Sequence, residues 1–165
     1  MKIALYNDFK GNKKIYFAIN AVNEYLSKQD KWDYEFVDVE AAKPKRLVKC
    51  DIAILWGVHN KKRTAYRDKV IKYQKRRGKR VIIIETGFVK RSHYYSLSFD
   101  SFVGWGDYGK INDNDSSRLK LLNVDADSIT HKKSKNGHIL VCGQLPWDTV
   151  NRHINYLDWM RGTLD

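Results

Sequence analysis

The run Val81-Ile82-Ile83-Ile84 constrains the fold of this chain most. Four consecutive β-branched residues are apolar on both faces, so they require a strand covered from both sides. Thr86-Gly87 follows, and the run predicts a strand over Arg80–Glu85. Two further short segments share this character, Lys2–Tyr6, bounded by Asn7-Asp8, and Asp51–Trp56, ended by Gly57; Tyr34–Val39 alternates enough to be another strand. Segments of helical period lie between them. Ile15, Ile19, Val22 and Leu26 recur at spacings of 4, 3 and 4, which predicts an amphipathic helix over Lys13–Lys28. A second helix is expected over Arg63–Arg77, with Tyr66, Val70 and Tyr73 inward and Gly78 as its stop. Short buried strands alternating with helices specify an α/β protein with a Rossmann-like parallel sheet flanked by helices.

The remainder is less regular. Lys90–Lys110 mixes aromatics with Ser and Gly, Ile111–Ser117 reads as a polar loop, and Leu119–Val124 is expected as one more short strand. Thr130–Gly137 is polar and basic, a linker. After it come an apolar strand, His138–Cys142, and a helix expected over Thr149–Arg161 with Asp148 as its N-cap. The organisation expected is therefore a Rossmann-like domain over 1–136 and a strand–helix piece over 137–165. That piece either begins a second α/β unit or folds back on the first sheet.

Charge supplies the first functional signal. Lys and Arg number 31 against 19 acids, a net charge of +12, with a pI near 9.6. From Asn60 to Arg80 the chain holds 11 basic residues and one acid, so the rest is close to neutral. A patch this concentrated attracts polyanions. Its candidate contacts are Lys61, Lys62, Arg63, Arg67, Lys75, Arg76, Arg77, Lys79 and Arg80. Nucleic acid, DNA foremost, or another anionic polymer is the expected partner; a solvated helix face is the plainer alternative. No apolar run approaches the roughly 20 residues of a membrane span, and the N-terminus lacks a signal peptide's apolar stretch. Cys50 and Cys142 form no CxxC, and His59, His93, His131, His138 and His153 have no ligand spacing, so no metal site is expected. This cysteine usage suits a reducing, cytoplasmic compartment, the host's if the chain is phage-encoded.

In an open parallel sheet, ligands bind outside the carboxyl ends of the strands. Those ends carry Asn7-Asp8, Gly57-Val58-His59, Glu85-Thr86-Gly87 and Gly143-Gln144 through Asp148. A carboxylate here can act as base or nucleophile. Each has a structural alternative: helix capping for Asp148, a hydrogen bond to a loop amide for Glu85, loop solvation for Asp8 and His59. The aromatic stretch 88–109, with Phe88 and Trp105, can present rings to a sugar or a flipped base, or pack in a core. Gly104-Trp105-Gly106-Asp107-Tyr108-Gly109 lacks the order of a phosphate loop.

Two stretches together resemble the capsular-polysaccharide glycosyltransferases related to bacterial Kdo transferases. One is Glu85-Thr86-Gly87-Phe88 with Arg91-Ser92, after the strand Val81–Ile84; the other is Gly143-Gln144-Leu145-Pro146-Trp147-Asp148-Thr149, after Ile139–Cys142. The match covers residues 80–150; Thr86 and Trp147 stand where the family carries Asp. The resemblance implies one half of a GT-B fold and transfer of a sugar from a nucleotide-sugar to an acceptor hydroxyl. It makes Asp148 the base or nucleophile and gives Glu85 a role in orienting the acceptor. Gly87, Phe88, Gly143, Gln144 and Trp105 would bind that acceptor. The family's donor half, with its His-Pro motif, would lie beyond Asp165 or come from a partner chain. The basic segment suggests a polyanionic acceptor, with hydroxymethylated phage DNA the boldest case and a surface glycan the milder one. A non-catalytic nucleic-acid-binding module is the alternative.

Overall fold

The computed structural model describes residues 1–7, 13–39, 47–58, 65–87, 94–102, 106–107, 120–121, 123, 151 and 154–164. The chain divides into two compact units, Met1–Gly109 and Lys110–Asp165. The boundary expected between 136 and 137 lies outside the described residues.

The first unit is a five-stranded sheet with helices on both faces. Its elements are β1 (Lys2–Asn7), α1 (Lys13–Ser27), β2 (Asp33–Asp38), β3 (Ile52–Trp56), α2 (Ala65–Arg76), β4 (Arg80–Thr86) and β5 (Tyr95–Phe99). The strand order is β2-β1-β3-β4-β5, and the first four strands are mutually parallel. The α/β reading therefore holds, and the fold is Rossmann-like. One expectation is corrected: the sheet is mixed, because β5 pairs antiparallel with β4. A parallel return needs a crossover of a dozen or more residues. Here the Gly87 N–H donates to the Tyr94 carbonyl at 2.8 Å, closing the neck of a hairpin.

Alternation along each central strand divides the core between the two faces. Ile3, Leu5, Ile54, Trp56 and Ile84 pack with Ile15, Ala18, Ile19 and Leu26 of α1. Ala4, Tyr6, Ala53, Leu55, Val81 and Ile83 pack with Tyr66 and Val70 of α2 on the opposite face. Each strand side chain thus loses water whichever way it points, which is why these runs contain no polar position. The hydroxyl of Tyr6 accepts the Val48 N–H at 2.9 Å, and burial pushes its pKa up to about 12.

Helix α2 buries a different set from the one its apolar residues predict. Tyr66 and Val70 are inward, but Arg67 and Gln74 join them and Tyr73 is only half-buried. Gln74 is fully buried because its amide is satisfied. Its Nε2 reaches the Arg80 carbonyl (3.3 Å) and Cys50 Sγ (3.4 Å), and its Oε1 accepts from Arg77 (2.8 Å). Gly78, at φ +62°, ends the helix in a left-handed turn, with Gly78 N–H to Lys75 O and Lys79 N–H to Gln74 O. This pair of bonds satisfies the last carbonyls.

In the second unit, α3 covers Tyr156–Leu164. The helix expected from Thr149 is corrected, since residues 154 and 155 are not helical. Asn155 occupies the capping position: its carbonyl accepts the Trp159 N–H at 2.9 Å and its Oδ1 faces the Asp158 N–H at 3.5 Å. Asp148, expected as the N-cap, lies outside the described residues. The strand expected over Leu119–Val124 is also corrected: Lys120 and Leu121 are helical, and Asn123 follows in a turn at φ +50°. Among the described residues no helix is long and apolar enough to cross a membrane.

Ile83 has no exposed surface, whereas Leu97 on β5 is 57% exposed. Ile83→Ala is expected to cost about 2–5 kcal/mol in urea unfolding, and Leu97→Ala less than about 0.5 kcal/mol. Equal losses would contradict this division of the sheet.

Candidate functional site

Reversal of strand order occurs between β1 and β3, so the switch-point crevice opens at their carboxyl ends. Asn7 ends β1 there, and Gly57 follows β3 at φ +58°, its N–H donating to the Ile84 carbonyl at 2.7 Å. Two charged side chains converge on this turn. A Cβ on Gly57 would lie 3.1 Å from Arg67 Nη1 and 3.1 Å from Glu85 Oε2. Glycine therefore serves both the left-handed backbone and the close approach.

Arg67 comes from the first turns of α2 and is 4% exposed. Its Nη1 donates to the Val58 carbonyl at 3.3 Å and its Nε to the Tyr66 hydroxyl at 3.4 Å. Glu85 comes from β4 and shares the α2 face with Val81 and Ile83, because residues two apart in a strand point the same way. Its Oε1 accepts from the Thr86 N–H (2.9 Å) and the Thr86 hydroxyl (3.2 Å). The structural hydrogen bond weighed for Glu85 is thus present, made to the next residue. Among the described residues no donor reaches Oε2, which faces the Gly57 turn. A carboxylate oxygen beside a guanidinium can accept a hydrogen bond from a ligand hydroxyl, while the cation offsets negative charge.

Gly87 closes the neck between β4 and β5. Its amide is engaged by Tyr94, and a Cβ would stand 2.8 Å from the Tyr94 oxygen. The glycine is required by backbone approach, and its N–H is spent on the Tyr94 carbonyl. Asp148, Phe88, Gly143, Gln144 and Trp105 lie outside the described residues, as do Asp8 and His59.

The expected polyanion contacts separate into distinct groups. Lys61, Lys62 and Arg63 lie outside the described residues. Arg67 is buried at the carboxyl edge. Arg77 donates to the Cys50 carbonyl at 2.9 Å and lies over the Tyr73 ring. Lys79 pairs with Asp51 at 2.7 Å. Arg80 pairs with Asp100 and Asp107 and stacks on Phe99, tying the start of β4 to the end of β5. These last three brace the amino edge of the sheet, at the other end of α2 from Glu85. Lys75 and Arg76 are exposed. Lys69 and Lys72, which the sequence reading passed over, are exposed beside them; their helical spacing from Arg76 was the available signal.

Lys79 and the Lys2 N–H hold the Asp51 carboxyl at about 2, below its usual 3.8. On acidification the unfolded chain takes up this proton first, so the pairing stabilises the fold above pH 3.8 and is lost as pH falls towards 2. Asp51→Asn is expected to flatten that part of the melting-temperature profile; an unchanged profile would contradict the pairing. Gly57→Ala is expected to cost about 1–2 kcal/mol or more from the left-handed backbone alone, read by thermal unfolding. A neutral result would contradict the geometry of the turn. No protein-family model and no curated protein matches the sequence.

Proposed function

We propose that this chain is the acceptor-side part of a glycosyltransferase, moving a sugar from a nucleotide-sugar to an acceptor hydroxyl. The observation that carries the reading is the Glu85 carboxylate beside Arg67 at the switch-point turn. It supports an acceptor site because Oε2 is positioned to take a hydrogen bond from a hydroxyl and orient its oxygen. In this reading a carboxylate base removes the hydroxyl proton as the oxygen bonds to the anomeric carbon. The nucleotide leaves with the bonding electron pair. Asp148 is assigned as that base by the resemblance of its motif, and Glu85 positions the acceptor. Arg67 offsets negative charge on a ligand entering the crevice. The acceptor is assigned as polyanionic from the basic character of α2 and its flanks.

The test incubates the full-length natural protein with a panel of nucleotide-sugars and acceptors, hydroxymethylated duplex DNA and anionic glycans among them, read by mass spectrometry. Transfer is expected to fall at least about 100-fold in Asp148→Asn and about 10-fold in Glu85→Gln, within the range general-base and positioning groups supply. Circular dichroism of both variants is expected to match the parent. Absence of transfer with every donor, or full activity in both variants, overturns the reading.

A further inference from the structure

We infer that the outer face of α2 is a docking surface for the phosphodiester backbone of a nucleic acid, read without regard to base sequence. The surface is Lys69, Lys72, Lys75 and Arg76, all exposed. At about 100° per residue these four fall within an arc of about 120°, and they advance about 10 Å along the helix axis. The buried residues Tyr66, Arg67, Val70 and Gln74 occupy the opposite side. The packing of α2 on the sheet therefore fixes the direction in which the cations point. None of the four has an ion-pair partner among the described residues, unlike Lys79 and Arg80 nearby. Asp68 is the helix's single acid.

The chemistry of the row selects its occupant. The four cations are spread over about 10 Å of the helix axis. A nucleic-acid strand carries about one charge per 3.4 Å, so a patch of this length faces about three phosphates of one strand. A membrane surface is the weaker fit, since an interfacial helix sets its apolar face into the lipid and that of α2 is spent on the sheet. Three of the four are lysines, which bind phosphate as point charges and lack the flat fork that reads guanine. Binding without sequence preference follows. The surface does not rest on sugar transfer and is measured without a donor, so either can fail alone.

The experiment is fluorescence anisotropy of the full chain with labelled 20-mers: duplex DNA of two unrelated sequences, single-stranded DNA, and RNA. Salt is varied from about 50 to 200 mM. The quadruple variant K69Q/K72Q/K75Q/R76Q keeps good helix formers on the exposed face. It is expected to bind the preferred nucleic acid about 100-fold more weakly at low salt, with a slope of log K against log salt shallower by about 3 to 4. The two duplexes are expected to bind equally. R77A/R80A, which removes two bracing cations and leaves the row intact, is expected to melt earlier yet keep the parent's slope. Overturning results are a quadruple variant within about twofold of the parent, a loss confined to R77A/R80A, or tighter binding to polysialic acid or phosphatidylserine vesicles than to any nucleic acid.

Discussion

Burial of β1, β3 and β4 on both faces is the constraint on which the rest of the structure depends. Ile3 and Leu5 need α1, while Ala4 and Tyr6 need α2. A strand apolar on both sides cannot sit at a solvated surface, so helices must return across opposite faces. Parallel pairing follows, because the helices occupy the connections. With strand order β2-β1-β3-β4, the carboxyl ends of β1 and β3 part at a crevice, and the beginning of α2 lies beside it. Arg67 and Glu85 meet at Gly57 because hydrophobic packing holds α2 against β3 and β4.

The same packing sorts the basic residues by role. Along α2 and the turn that follows, direction from the helix axis decides whether a cation is buried, bracing or free to meet solvent. Arg67 points towards the sheet at one end, Arg77 reaches the Cys50 carbonyl at the other, and Lys69, Lys72 and Arg76 point away. Local charge density therefore does not by itself say which cations face solvent.

Legibility in the sequence followed from how locally each feature is determined. The central strands and α1 were readable because a continuous apolar run, or a 3.6-residue period such as Ile15, Ile19, Val22 and Leu26, reports burial directly. Strand β5 was not, because its polarity is inverted: Ser98 is buried while Leu97 is exposed. Gln74 reads as surface until Cys50, Arg77 and Arg80 are brought around it. The bracing duties of Lys79 and Arg80 depend on Asp51, Asp100 and Asp107, each 20 or more residues away in sequence and supplied only by the fold. Glu85 was legible as a strand-end carboxylate; its neighbour Arg67 was legible only as charge.

Ligand chemistry is proposed to belong to the switch-point turn at the carboxyl edge. Amide chemical-shift mapping of the isotope-labelled chain, titrated with nucleotide-sugars and with acceptor saccharides, tests it most directly. Shifts are expected to cluster on Gly57, Val58, Glu85 and Thr86. Shifts confined to the amino edge around Asp51 and Lys79, with the Gly57 turn silent, would contradict it.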